Sequence, residues 1–262
     1  GKRVPIVRIL ITGGSGRIGR YVLQVFSQAG HTVTNADLSI AQDSPGSYLR
    51  VDLTQSGEVY QAIASSRAEA VVHLGAWSNA GIVPDTRTYG ENVLSTFNVL
   101  QACADLGVRR VISASSAQVY GFAEAAPLYV PVDEKHPLRP GNSYALSKIA
   151  AEQAADYFVN RYQMAVLSFR FMGVRAPSEI PPQIEQMAQN HENGARLLWT
   201  RVDARDAALA CRLAVEAEHV RPGAYNITGA EIVLNMPTQE LAQTHFGAHT
   251  RNIDALAGRI SP

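Results

Sequence analysis

The sequence predicts an α/β protein: a doubly wound parallel sheet, followed by a small C-terminal lobe. Three observations carry this. Short apolar runs alternate with longer helical stretches, each run is apolar along its length rather than at every second residue, and a glycine-rich turn follows the first run. Continuous apolar strands belong to sheets covered on both faces. Right-handed crossovers then wind the chain outward in both directions, and ligands are met beyond the carboxyl ends of the strands.

The elements follow in order. Residues 6–12 (IVRILIT) read as the first strand, and 16–29 as a helix ending before Gly30, a natural C-cap. Residues 31–37 (HTVTNAD) and 48–53 give two strands, and 55–66 a helix with Thr54 as its N-cap. Residues 70–74 (AVVHL) form the fourth strand, 86–106 a long helix stopped by Gly107, and 109–114 (RRVISA) the fifth strand. A second long helix over 143–161 and a sixth strand over 165–171 (AVLSFRF) complete the expected dinucleotide-binding domain, residues 1–171. The rhythm then loosens. A proline-rich stretch (APSEIPP, 176–182) precedes helical segments at 181–192, 203–217 and 237–246 and a strand at 224–227. Residues 172–262 are expected to form a smaller substrate lobe, partly folded back on the sheet.

Composition narrows the function. The chain has 262 residues, 46% of them hydrophobic, and zero formal net charge. A sizeable core is available, and no basic run suggests a nucleic-acid partner. Cys103 and Cys211 lie in apolar helical surroundings without metal or redox spacing. They read as buried thiols in a reducing cytoplasm. No run reaches membrane-spanning length, and residues 1–8 (GKRVPIVR) do not read as a secretory leader. The chain stops at Pro262 just after a short segment, which leaves room for a longer natural end. The only lysines are Lys2, Lys135 and Lys148, so a lysine inside a motif stands out.

The turn Thr12-Gly13-Gly14-Ser15-Gly16-Arg17-Ile18-Gly19 carries G-x-x-G-x-x-G between a strand and a helix. Glycine lets the backbone approach a pyrophosphate, whose charge meets the helix N-terminus. Gly13, Gly16, Arg17, Ile18 and Gly19 are the expected phosphate contacts. Asp37, ending the second strand, suits the adenosine ribose hydroxyls and would repel a 2′-phosphate, which selects NAD. Arg17 and Arg20 work against that repulsion. Asp52, beside Leu53, either reaches the adenine amino group or caps the helix near Thr54.

Tyr144 and Lys148 stand at i and i+4 on the second long helix. A phenol titrates near 10, and a neighbouring ammonium favours its ionised form. Such a phenolate takes a hydroxyl proton as hydride leaves the same carbon, and the phenol returns it in reverse. The serine-rich segment 113–121 after the fifth strand offers a hydroxyl to orient the substrate oxygen.

These pieces together resemble the extended short-chain dehydrogenases/reductases, the NAD-dependent epimerase/dehydratase family with a Rossmann fold. The matching segments are TGGSGRIG (12–19), Asp37, VDL (51–53), HLGA (73–76), ENVLSTFNVL (91–100), SASSAQVYG (113–121), YALSK (144–148) and FRFMGVRAP (169–177). The resemblance implies Ser116 as the catalytic serine with Ser115 as fallback, Tyr144 as base, Lys148 as its partner, and Asn92 as the helix asparagine near the site. It also implies that Leu74, Gly75 and Ala76 line the NAD. Two departures bear on chemistry. Ala117 and Gln118 replace the Asp-Glu pair of the sugar-nucleotide dehydratases, which disfavours dehydration. Gly173 replaces an asparagine that holds substrate in several epimerases. With the short chain, this favours a small substrate and resembles the uronate dehydrogenases.

Trp77, Ser78 and Asn79 are placed where they can touch substrate. Arg170 meets either a substrate carboxylate or an internal acid, and His73 reads as a structural histidine. Three functions follow: an NAD-dependent oxidoreductase acting on a sugar or sugar acid, an epimerase of nucleotide sugars with tightly held NAD, and a non-catalytic NAD sensor. No metal site is expected. The two long helices are expected to pair with their copies in a homodimer, as is the family's habit.

Overall fold

The computed structural model describes residues 4–260; the outer domain limits expected at 1 and 262 fall outside that range. Strands β1 (Arg8–Thr12), β2 (Thr32–Asp37) and β3 (Ser47–Arg50) alternate with helices α1 (Gly19–Gln28) and α2 (Ser56–Ser66). β4 (Ala70–His73), α3 (Asp85–Leu106), β5 (Arg110–Ser116), α4 (Ser143–Tyr162) and β6 (Ala165–Phe171) follow. The remaining elements are β7 (Val174–Arg175), α5 (Ile180–Gln189), α6 (Glu192–Ala195), β8 (Val202–Asp203), α7 (Ala204–Glu216), β9 (Gly223–Ile227) and α8 (Thr238–His245).

The main sheet has seven strands in the order β3-β2-β1-β4-β5-β6-β9, every neighbour parallel. The winding reverses between β1 and β4, which opens a crevice at their carboxyl ends. Apolar side chains of the strands divide between two cores. Ile9, Ile11, Val33, Val72 and Leu167 pack under α1 and α7, while Leu10, Val71, Val111 and Val166 pack under α2, α3 and α4. Alternation of strand side chains between faces produces the two layers. Gly30 and Gly107 take left-handed backbone just after α1 and α3, which stops both helices.

Several boundaries differ from the sequence reading for local reasons. α1 begins at Gly19 rather than 16, because the turn itself uses Gly13–Ile18, with Gly16 N–H donating to Gly13 O at 3.1 Å. Gln55, not Thr54, is the N-cap of α2; Thr54 is held instead by Asp52. The helix expected over 181–192 is two pieces, broken where Asn190 is extended. The short parallel pair β7–β8 was not expected.

Residues after 171 contribute both to the main sheet and to the lobe. β9 is the seventh strand of the main sheet, and α7 packs against α1. The lobe core joins Val119, Tyr120, Phe122 and Val130 from the first half to Met187, Trp199, Leu241 and Phe246 from the second. The chain thus passes between the sheet and the lobe core several times.

Candidate active site

The crevice is a cleft of about 910 Å³ along the carboxyl ends of β1, β2, β4, β5 and β6. That is near the top of the range for ligand pockets, roughly 300–1,000 Å³. Its lining includes Gly13, Gly16, Arg17, Ile18, Gly19, Asp37, Asp52, Leu53, Leu74, Gly75, Ala76, Ser78, Asn92, Ser116, Tyr144 and Lys148. Of the site residues expected from sequence, Arg170 alone is not brought there.

At one end the glycine turn meets the turn after β4. Gly13 has φ +68°, and a Cβ on it would stand 2.7 Å from Gly75 Cα. Only glycine lets these two backbones approach so closely. Thr12 fixes the second turn by accepting from Leu74 and Gly75 N–H at 3.0 and 3.1 Å. Asp37 accepts from Ser15 N–H at 3.0 Å and Leu38 N–H at 2.7 Å, which holds its carboxylate at the rim of the glycine turn. Asp52 accepts from the Thr54 N–H and hydroxyl through Oδ1 while lining the cleft. This arrangement fits a dinucleotide: a backbone cradle at a helix N-terminus with a carboxylate at ribose distance along the strand order.

At the other end stand the expected working groups. Ser116 Oγ accepts from Gln118 N–H at 3.1 Å and lies close enough to the Tyr144 phenol to favour its ionised form. Lys148 Nζ donates to Ala114 O at 2.9 Å and lies 5.5 Å from the centre of the Tyr144 ring. The fallback Ser115 is committed elsewhere, donating to Glu152 at 2.7 Å.

The electrostatics differ from the sequence expectation. Burial pushes Tyr144 up to about 12, and the nearby Ser116 hydroxyl acts in the opposite direction without offsetting it. Burial also brings Lys148 down to about 8. Desolvation outweighs the attraction between the pair, so the lysine by itself does not make Tyr144 a base at neutral pH.

Asn92 is buried, and its amide is used structurally. It accepts from Trp77 N–H at 2.8 Å and donates to Trp77 O and Ser147 Oγ at 3.1 and 3.2 Å. It fixes the loop after β4 against α4. Arg170 is also buried, paired to Glu152 at 2.6 Å, and donates to the Tyr120 hydroxyl and Glu134 O. Of the two partners open to it in the sequence, the structure pairs it with an internal acid, and it does not line the cleft. His73 bridges Thr12 and Thr96 at 2.7 and 3.1 Å.

Sequence reasoning missed two cleft arginines, Arg175 and Arg196. Arg175 lay inside the FRFMGVRAP segment but was not singled out. Arg196 carried no motif. It precedes a turn in which Leu198 and Trp199 both take left-handed backbone, at φ 52° and 56°. Trp199 is buried and bonded to His191 O at 2.7 Å, which holds that conformation. Arg201, behind them, is brought down to about 10 by burial first and then by Arg175 and Arg196.

The sheet order and cleft are those of a dinucleotide-binding protein. The chain belongs to the NAD dependent epimerase/dehydratase family, matching it over residues 9–228. NAD is the cofactor of that family. Among its relatives, a uronate dehydrogenase of Pseudomonas syringae pv. tomato is 28% identical over 171 residues, covering 64% of this chain and 60% of that protein. A UDP-glucose 4-epimerase of Corynebacterium glutamicum is 26% identical over 173 residues, covering 64% and 51%. The chain thus matches about half to three-fifths of the length of these relatives. A short-chain dehydrogenase/reductase superfamily protein of Agrobacterium tumefaciens, solved with bound NAD, superposes with TM-score 0.70 at 27% identity, covering 85% and 77% of the two chains. A UDP-galactose 4-epimerase superposes at 0.67 with 26% identity, covering 85% and 77%.

Proposed function

We propose that this chain is an NAD-dependent oxidoreductase that moves a hydride between the cofactor and a hydroxyl or carbonyl carbon of a sugar or sugar acid. The observation that carries the reading is the meeting of Ser116, Tyr144 and Lys148 in the cleft that also holds the glycine turn. Gly13, Gly16, Arg17, Ile18 and Gly19 cradle the pyrophosphate, Asp37 takes the adenosine ribose, Asp52 and Leu53 border the adenine, and Leu74, Gly75 and Ala76 line the dinucleotide. When bound, oxidised NAD supplies the hydride acceptor and a positive ring charge.

Ser116 orients the reacting oxygen. Tyr144 exchanges the proton at that oxygen. Its buried, protonated state suits the donation step of carbonyl reduction, and the reverse step draws on the added positive charge in the cleft. Lys148 braces the Tyr144 face and reaches the nicotinamide ribose. Ser78 contacts substrate from the loop after β4. Arg175 and Arg196, both at the cleft wall, favour a substrate with an anionic group, which agrees with a sugar acid.

Epimerisation of a nucleotide sugar is the second reading, favoured by the relatives named as UDP-glucose 4-epimerases. Among the described residues no helix is long and apolar enough to cross a membrane. We place the protein in the cytoplasm as a homodimer joined through α3 and α4.

A panel of free sugars, sugar acids and nucleotide sugars, read at the nicotinamide absorbance band, tests the reading. A dehydrogenase accumulates reduced cofactor; an epimerase converts its sugar with no net change. Tyr144→Phe is expected to abolish turnover and leave NAD affinity nearly intact. Full turnover in that variant removes Tyr144 from the chemistry. An inactive wild type across the whole panel favours the sensor.

A further inference from the structure

Three consecutive residues of β5 meet three residues spaced one turn apart on α4. Ala114 O accepts from Lys148 Nζ at 2.9 Å, Ser115 Oγ donates to Glu152 Oε2 at 2.7 Å, and Ser116 stands close enough to the Tyr144 phenol to favour its ionised form. Tyr144, Lys148 and Glu152 form one stripe at i, i+4 and i+8. The first two line the cleft; Glu152 does not.

Glu152 is 9% exposed and is held in turn by Arg170. Arg170 Nε lies 3.1 and 3.2 Å from the two carboxylate oxygens, and its terminal nitrogen 2.6 Å from Oε1. The other terminal nitrogen donates to the Tyr120 hydroxyl at 2.9 Å and to Glu134 O at 3.0 Å. Tyr120 passes the chain on to Asn226 Oδ1 at 2.6 Å. One network therefore ties α4 to β5, β6, β9 and the turn after β5. The ionisable groups around it are Lys148, Tyr144 and Asp156 on α4, Arg170 from β6, Tyr120 from the turn and Glu134 from the loop that follows.

We propose that Glu152, clamped by Arg170, is a positioning residue that sets the register of α4 on the end of β5, and so brings Ser116, Tyr144 and Lys148 together. Apolar helix–sheet contacts tolerate small slides and rotations, whereas a forked arginine–carboxylate pair is directional. A buried pair of this kind is best suited to specifying one arrangement. The other buried apolar residues of α4, among them Ala151, Ala155 and Phe158, offer only packing that fixes no particular height for Tyr144 against Ser116. The inference rests on the reading of those three residues as the working groups, but its test does not need turnover.

Lys148 reports the register directly, because its low titration comes from burial under the end of β5. With only three lysines in the chain, its signal is separable by NMR of isotope-labelled lysine, assigned with Lys148→Met. Ser115→Ala and Glu152→Asp keep the local charge unchanged, so a shift in either reports geometry. The expected result is that Lys148 titrates about one unit or more higher in both, with NAD affinity unchanged. Where a substrate has been found, kcat falls on the order of 10²-fold, as for a misplacement of about 1 Å, and KM changes little. If Lys148 titrates as in the wild type in both folded variants, the network only stabilises the fold and the inference fails. Should Glu152→Asp not fold, Ser115→Ala decides alone, since it leaves the ion pair intact. A wild type that turns over no sugar sinks the functional reading but leaves the lysine titration decisive.

Discussion

Lys148 shows how a working residue sets its own cost. Its ammonium is 6% exposed and bonded to a single backbone carbonyl, and burial holds it near 8 against an ordinary 10.5. The unfolded chain binds this proton more tightly than the folded one. Between about pH 8 and 10.5, therefore, folded stability rises with pH as the folded state sheds the proton first. At pH 7 the buried charge costs up to about 3 kcal/mol, at 1.36 kcal/mol per unit, before the bond to Ala114 offsets part of it. Lys148→Met is expected to raise the thermal midpoint at pH 7 by a few degrees while removing turnover, and the gain over wild type should vanish as pH approaches 10. Calorimetry across that range checks it; a variant less stable than wild type at pH 7 contradicts the burial account. At this scale the spacing of Tyr144 and Lys148 carries no sign of the burial that opposes their charges. Tyr144 and Lys148 were legible from spacing, Ser116 only through the family resemblance, and the structure brings all three into one cleft. Arg170 was ambiguous because its partner Glu152 is remote in sequence, and Arg196 was invisible because a tertiary contact, Trp199 on its anchor, aims its segment.

Among the elements, α3 and α4 pack side by side and leave an apolar face outward. Leu94 and Phe97 on α3 and Leu146 and Tyr157 on α4 are each more than two-fifths exposed. These side chains are what the proposed dimer would bury. If two copies meet there, Leu94→Glu with Phe97→Glu should convert the dimer to a monomer in sedimentation and leave NAD affinity intact, because neither residue lines the cleft. A wild type that already sediments as a monomer at micromolar concentration removes the interface. The strands and helices of the first 171 residues were readable because each is a long apolar or amphipathic run bounded by glycine or a polar turn. The two-residue strands β7 and β8 were not, since pairing over so short a length comes from the neighbouring cores and leaves no periodicity in the sequence.

Over the whole molecule, the chain returns to the main sheet after residue 171: β9 joins it and α7 packs in the same core as α1, while residues 117–138 help to build the lobe core. Beneath the cleft, His73 bonds Thr12, which in turn holds the Leu74–Gly75 turn that lines it. Thr12 Oγ1 already accepts from two backbone N–H groups, so its hydrogen goes to His73 Nδ1, and the ring's Nε2–H goes to Thr96. That pattern accommodates only neutral imidazole. Burial, helped by the Lys148 charge, brings His73 down to about 3. Burial also lowers His136, whose Nε2 accepts from Leu128 N–H. Below about pH 6.5 the unfolded chain takes protons that the folded chain refuses, so stability falls as pH drops toward 3. At pH 5 the share from His73 is about 2 kcal/mol, from 1.36 kcal/mol per unit. Glu91, Asp133 and Asp203 are held below the usual carboxylate range, and their contribution is lost only below about pH 4. The interval from pH 7 to 5 therefore isolates the histidines. Unfolding in urea at those two values should show wild type losing stability on acidification and His73→Asn losing less. An equal loss in both means that His73 takes up its proton without unfolding the turn that faces the cofactor, and the assigned tautomer is wrong.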